Sequence, residues 1–281
     1  MPQGINANRR SIGETLGNAE RRPVVLPEFQ RPFSWEKKQI AKFWEDLIAF
    51  LARYRKRPID ASYFLGPVVI LDHAKEIVLL DGQQRLATAI ILLSKIRDLA
   101  RALDTQEGFD FARDLQRDII EKGRKPLSYS LTLGDLDEPF FLTKFKSDPP
   151  GNATPTLRSH ALLVAAGDYL SDELQKLVGA KSANDTVTEL EDLKDALTKG
   201  MALVAITVES EEDAYDIFES LNDRALDSRR LISSSTSSSK GVILRCRAIQ
   251  FGSSGTRLFK SSASATRPAF CVIYGFRGSE I

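Results

Sequence analysis

Apolar residues form continuous runs in some stretches of the chain and recur every three or four positions in others. The change from one pattern to the other marks the stretch around which the chain is organised. Residues 77–80 form a continuous apolar run, which predicts a buried strand. From Gln83 the apolar residues recur three or four positions apart to about Leu103, which predicts a long helix. Asp81-Gly82 stands between these runs and is a common turn signal. The pattern therefore predicts a strand, a sharp turn and a helix in succession.

The same two patterns predict the remaining helices and strands, and the mixture of helices and strands indicates an α+β protein. Ser34 is the expected N-cap of the second helix. The strand over 63–71 and the run over 77–80 are expected to form a hairpin. The other strands are predicted at 23–26, 127–133 and 202–208, and the helices at 11–20, 36–53, 109–120, 138–146, 157–178, 186–197 and from Ser210 onward.

The sequence changes character after Asp227. Residues 233–239 are almost all serine, and residues 228–281 hold nine of the chain's 39 basic residues but only one of its 38 acidic residues. We expect this basic, low-complexity tail to be disordered. Its charges could bind DNA phosphates non-specifically, although a solvated tail without a binding role is the alternative that we favour.

Composition excludes several classes of protein. No apolar run approaches the roughly 20 residues of a membrane span, and the N-terminus lacks the apolar region of a secretory signal. The two cysteines, Cys246 and Cys271, form neither a disulfide framework nor a zinc site, so we expect a cytoplasmic protein. The two histidines, His73 and His160, are expected to be an exposed loop residue and a structural residue.

The turn and the helix that follows it form the first candidate site, Asp81-Gly82-Gln83-Gln84-Arg85. The first turn of a helix offers free N–H groups to an anion, and Gly82 allows close approach to the backbone. Arg85 can supply a forked donor to phosphate, and Asp81 can hold Mg²⁺, bind a ribose hydroxyl or cap the helix. The alternative is an ordinary turn with a capped helix and a solvated polar face.

Two further stretches carry candidate polar groups. Gln30 and Arg31 lie between Phe29 and Phe33, with a proline on each side that holds the segment extended. Arg31 is either a second phosphate ligand or a solvated residue beside an aromatic staple. Glu219 and Asn222 lie at the end of the last predicted helix, where they either complete the site or form a C-cap.

These motifs, in this order and spacing, resemble the N-terminal domain family of GmrSD-type restriction endonucleases. The resemblance covers about residues 8–227 and rests on the segment from Pro27 to Trp35, on Tyr63-Phe64-Leu65-Gly66 with Asp81-Gly82-Gln83-Gln84-Arg85, and on Ile217-Phe218-Glu219-Ser220-Leu221-Asn222. It implies a ParB/sulfiredoxin-like core over 8–105, with a small mixed sheet, and a mostly helical part over 106–227 that carries the third motif.

The resemblance also implies a function and roles for the motif residues. The domain is expected to bind and hydrolyse an NTP with Mg²⁺, as the sensor of a modification-dependent DNA restriction and antiphage defence system. Asp81 and Arg85 are the expected catalytic residues, with Asp81 also the Mg²⁺ ligand. Gln30, Arg31, Gly82, Gln83, Gln84 and Arg85 are expected to bind the nucleotide, and Glu219 and Asn222 to complete the site. DNA, including modified DNA, and a separate nuclease subunit are the expected partners.

The sequence also departs from the family pattern. Ala225 stands where the family usually has glycine, and the family's following helix is replaced by the basic tail. No His-Asn-His-like nuclease cluster is present in this chain. We therefore expect a domain that lacks its nuclease half, and a frameshift near Asp227 would explain the change. A non-catalytic nucleotide- or DNA-binding regulatory module and an inert truncated gene product remain the alternatives.

Overall fold

The computed structural model describes residues 6–17, 22–27, 30–73, 75–122 and 128–208, together with the backbone of three short strands near the C-terminus. The chain divides into two compact units, Met1–Ala225 and Leu226–Ile281. The described helices and the candidate site belong to the first unit. Glu219, Asn222 and the helix predicted from Ser210 lie outside the described residues.

A six-stranded mixed sheet forms the centre of the first unit. Its strands, in spatial order, are β1 (Asn6–Ser11), β8 (Met201–Val208), β3 (Tyr63–Asp72), β4 (Ile77–Asp81), β2 (Val24–Val25) and β7 (Leu131–Thr132). Strand β3 pairs in parallel with β8, and β2 pairs in parallel with both β4 and β7. Strand β1 is antiparallel to β8, and β3 is antiparallel to β4. A separate two-stranded sheet joins β5 (Glu121–Lys122) to β6 (Ser128–Tyr129). The predicted α+β class and mixed sheet are confirmed.

Seven α-helices accompany these sheets in the described part of the chain. They are α1 (Ile12–Leu16), α2 (Lys37–Tyr54), α3 (Gln83–Arg101), α4 (Gln106–Leu115), α5 (Glu138–Phe141), α6 (Arg158–Val178) and α7 (Ala183–Asp195). Helices α4, α5 and α7 each continue into a π-helical turn, at Gln116–Ile120, Leu142–Lys146 and Ala196–Gly200. The helices predicted over 109–120, 138–146 and 186–197 correspond to these composite elements.

Helix α3 is the central helix of the core. Apolar residues on all of its sides are fully buried, including Leu86, Ile91 and Leu92. It packs against α4, α6 and α7. Because several of its faces are covered, apolar residues lie on more than one face and not along a single amphipathic stripe. This burial fixes the first turn of α3, where the candidate motif lies.

Several predicted elements need correction. Helix α2 begins at Lys37 with Glu36 as its N-cap, so the prediction that Ser34 caps it is wrong. The Ser34 N–H instead donates to Gln84 Oε1 at 2.8 Å, because segment 30–35 is held against α3. Strand β1 was not predicted, since its sequence is largely polar and exposed, but it pairs along its full length with β8.

The second unit contains a three-stranded antiparallel sheet. Its strands, in spatial order, are β11 (Phe270–Val272), β10 (Leu258–Lys260) and β9 (Arg247–Ile249). No regular element was predicted in this region, because no apolar period lasts long enough there. The predicted disorder of the rest of residues 228–281 lies outside the described residues. None of the helices in the described ranges is long and apolar enough to cross a membrane.

Candidate functional site

Gly82 forms the turn between β4 and α3, as predicted. Its φ of 99° lies in the left-handed region, and it is the N-cap of α3 without any side-chain cap. A Cβ at this position would lie 2.4 Å from Val68 Cγ1. Asp81 therefore does not cap the helix. Contact with β3 and the left-handed turn are sufficient reasons for glycine here.

Gln83 and Gln84 hold segment 30–35 against the start of α3. Gln83 Nε2 donates to the carbonyl of Arg31 at 3.0 Å. Gln84 Oε1 accepts from the N–H groups of Ser34 and Trp35 at 2.8 and 3.2 Å. Gln30 Nε2 completes the junction by donating to the Leu80 carbonyl at 2.8 Å. The first two sequence motifs are thus joined directly through their glutamine side chains.

A cavity lies beside this junction. The empty space within it, including its open mouth, is about 460 Å³. The space that admits the centre of a water-sized molecule is about 60 Å³, so a larger ligand would lie mostly in the open mouth. Its walls come from segment 30–35, the first turns of α3, the end of β2 and the loop after β7, namely Leu26, residues 30–33, Gln83, Gln84, Ala87 and residues 133–137.

Two polar groups at this cavity have capacity for a ligand. Arg31 lines it and its side chain is exposed to solvent. Gln83 also lines it and is only 7 % exposed, yet its Oε1 has no hydrogen-bond partner among the described residues. A buried acceptor without a partner costs about 1–3 kcal/mol. This oxygen has less than 1 Å² of accessible surface, so a ligand would reach it only after the side chain shifts, and a hydrogen bond donated to it would then recover that cost.

Arg85 and Asp81 lie on the side of the turn that faces β3. Arg85 is not among the residues that line the cavity. Its Nη1 donates to the Pro67 carbonyl at 2.7 Å and lies against Gly66, whose φ is 126°. Burial lowers the pKa of Arg85, although the Asp81 carboxylate, with Oδ2 3.8 Å from Nη2, acts in the opposite direction. Arg85 therefore supports the irregular start of β3, and the structure does not bring it to the same cavity as Arg31.

The loop over residues 133–137 is the part of this cavity that the sequence motifs missed. Asp137 in this loop is 3 % exposed and accepts a hydrogen bond from the Phe33 N–H at 2.7 Å. The only local signal was Gly134-Asp135 followed by Glu138-Pro139, which is typical of a turn leading into a helix. That signal predicts the turn but not its contact with a segment a hundred residues earlier.

The structure offers limited protein ligands for a metal ion. The described residues contain no group of three or more histidine, cysteine, aspartate or glutamate side chains arranged to hold one. Asp81 is about one-third exposed and is a single carboxylate. Asp81 does not line the cavity, and its carboxylate lies 3.8 Å from Arg85 Nη2, so it offers a metal ion a single carboxylate beside the turn.

Comparison with known protein families gives a match over most of the chain. The family described as GmrSD restriction endonuclease, N-terminal domain, matches residues 12–230. A comparison with curated proteins finds no match. The family match spans most of the chain and includes both motifs at the cavity. The chain therefore belongs to the GmrSD restriction endonuclease N-terminal domain family, a component of modification-dependent restriction systems.

Proposed function

We propose that this chain binds a nucleoside triphosphate in the cavity between segment 30–35 and α3, and hydrolyses it as the sensor of a DNA restriction system. One observation carries the proposal: the exposed Arg31 lines a single cavity beside the N-terminus of α3 together with Gln83, whose Oε1 has no partner among the described residues. An arginine and a helix N-terminus suit phosphate, and a buried carbonyl oxygen suits a hydroxyl or amino donor. A nucleotide carries all of these groups.

The two arginines would then have different roles. Arg31 is exposed at the cavity, so it can form a charge-assisted contact with phosphate without losing an existing bond described in the structure. Arg85 donates to Pro67 and does not line the cavity, so it would reach a phosphate, through its remaining guanidinium N–H groups, only where the triphosphate extends past the turn toward β3. Asp81 lies on the same side of the turn as Arg85 and would hold Mg²⁺ together with those phosphates, where the ion would supply neutralising charge.

Binding without turnover is the second candidate function. The position of Arg85 favours it, because the residue expected to stabilise the transferred phosphate is engaged with the backbone of β3. In that case the nucleotide would change the shape of the domain, and cleavage of DNA would belong to a separate nuclease subunit. Modified DNA in the cytoplasm is the proposed signal in both cases.

Thermal denaturation and phosphate release together test these proposals. ATP, GTP, CTP and UTP are each added to the full chain with and without Mg²⁺, and a bound nucleotide raises the melting temperature by mass action. Arg31→Ala should reduce this shift, whereas Lys38→Ala, which removes an exposed cation of α2, should keep it.

Released phosphate, measured with and without unmodified or modified DNA, separates the two candidates. Release above background indicates hydrolysis, and a thermal shift without release indicates a binding module. If none of the four nucleotides shifts the melting temperature, the proposal is wrong.

A further inference from the structure

Asp137 joins three parts of the chain that are distant in sequence. Its Oδ2 accepts from the Phe33 N–H at 2.7 Å, and its Oδ1 accepts from Ser159 Oγ at 2.6 Å. Phe33 belongs to the segment that carries Arg31, and Ser159 belongs to the first turn of α6. A single carboxylate in the wall of the cavity thus connects segment 30–35 to the helical half of the domain.

His160 holds the loop that carries Asp137. Its Nδ1 lies 3.3 Å from the Thr156 N–H and acts as an acceptor, so the proton is assigned to Nε2. Nε2 then donates to the Leu136 carbonyl at 3.0 Å, and it lies 3.7 Å from Asp137 Oδ1. The His160 ring stacks on Phe140 with 4.3 Å between ring centroids. Asp137 is therefore placed from both sides, by its own bonds and by the backbone next to it.

The carboxylate of Asp137 needs interactions that compensate for its burial. Asp137 is buried, and within ion-pair distance of it the described residues offer His160 but no lysine or arginine. A buried charge without such a partner is costly, and a neutral side chain could occupy the same space. Two short hydrogen bonds from donors of different segments provide the compensation, since bonds to a charged acceptor are stronger than neutral ones.

We infer that Asp137 is a positioning residue of the nucleotide site. It fixes the backbone of segment 30–35 so that Arg31 reaches the cavity, and it ties that position to the start of α6. The functional part of this inference rests on the proposed function, whereas the placement of the segment does not.

Hydrogen exchange tests the placement without any ligand. Exchange is measured on peptides covering residues 30–36 of the full chain for Asp137→Ala, Asp137→Asn and Ser159→Ala. Loss of the carboxylate should speed exchange about tenfold, because a bond to a charged group is removed. The asparagine variant should fall between the native chain and Asp137→Ala, since its amide can accept from Phe33 and donate to Ser159 but forms only the weaker neutral bonds.

Ser94→Ala is the matched control for Ser159→Ala. Ser94 is fully buried in α3 and its hydroxyl donates to the Ile90 carbonyl, away from Asp137. Faster exchange at 30–36 in Ser159→Ala but not in Ser94→Ala supports the inference. Equal exchange in these two variants would overturn it, and this comparison decides the matter even if Asp137→Ala does not fold.

A double-mutant cycle tests the link to the site. The dissociation constant of the most stabilising of the four nucleoside triphosphates is measured for Asp137→Ala, Arg31→Ala and the double variant. If Asp137 acts through Arg31, the double variant should bind no more weakly than Arg31→Ala alone, whereas independent effects would multiply. Multiplying effects would contradict positioning. If the native chain binds no nucleotide, the proposed function fails while the exchange result still decides the placement.

Discussion

At the scale of single residues, the side chains of residues 83–85 contact two different sides of the turn at Gly82. Gln83 and Gln84 contact segment 30–35, while Arg85 contacts the start of β3. Successive helical residues point about 100° apart, so neighbours in the motif cannot all face one ligand. The sequence could predict which residue types are present, but their division between cavity and sheet depends on how α3 is buried.

Arg85→Ala is expected to change stability as well as binding. The guanidinium side chain is mostly buried and donates to the Pro67 carbonyl, and its loss should lower the free energy of unfolding by about 1–2 kcal/mol. Arg31→Ala should leave the free energy of unfolding within about 0.5 kcal/mol of the native value, because Arg31 is exposed. Urea denaturation of both variants measures the difference, and equal stability of the two would contradict the structural role of Arg85.

Gly82→Ala should be among the most destabilising substitutions in the site. Alanine is strained at a φ of 99°, and its Cβ would lie 2.4 Å from Val68 Cγ1, so we expect a loss of about 2–4 kcal/mol. Gly134→Ala is the control, since a Cβ there has no atom within 4 Å and the φ of Gly134 is not positive. A similar loss of stability in the two variants, measured in urea, would show that the turn does not require glycine.

At the scale of elements, the spacing of apolar residues predicted the helices and strands whose contacts join residues close in sequence. The hairpin of β3 and β4 and the long helix α3 follow from short-range patterns and are confirmed. Strand β1 could not be predicted, because its polar residues are ordered by pairing with β8 nearly two hundred residues later. The cavity wall at Asp137 was missed for the same reason, since its partner Phe33 is 104 residues away.

The junction between segment 30–35 and α3 should depend on Gln84. Gln84→Ala removes the acceptor for two backbone N–H groups, so we expect a loss of about 1–3 kcal/mol and faster hydrogen exchange at Ser34 and Trp35. Gln106→Ala is the control, because this glutamine bonds only to an exposed aspartate on α4 among the described contacts. Unchanged exchange at Ser34 and Trp35 in Gln84→Ala would contradict the junction.

At the scale of the whole molecule, Glu189 links α7 to the end of α2. It accepts from Arg55 Nη2 at 2.5 Å and from Lys181 Nζ at 2.8 Å. Burial alone would raise the pKa of Glu189, but the bonds from Lys181 and Arg55 outweigh burial and hold the pKa below its ordinary value. A carboxylate with a lowered pKa stabilises the folded state above its unfolded pKa of about 4.3, and the contribution is lost as the pH falls through the folded value.

Acid titration of stability tests this link. The free energy of unfolding should fall as the pH is lowered below about 4.5. Glu189→Gln should reduce that fall by about 1 kcal/mol. The control is Glu191→Gln, which removes an exposed carboxylate of the same helix. If the two variants show the same acid dependence in urea denaturation, Glu189 does not contribute to acid sensitivity.

The central claim is that one cavity beside the start of α3 binds a nucleoside triphosphate through Arg31. Calorimetric titration of the full chain with the most stabilising nucleotide, in parallel with Arg31→Ala and Lys38→Ala, tests it most directly. We predict saturable binding to the native chain and to Lys38→Ala, with an affinity at least about tenfold weaker for Arg31→Ala, since a charge-assisted phosphate contact contributes roughly 1.5–3 kcal/mol. Equal affinity in all three chains would contradict the account.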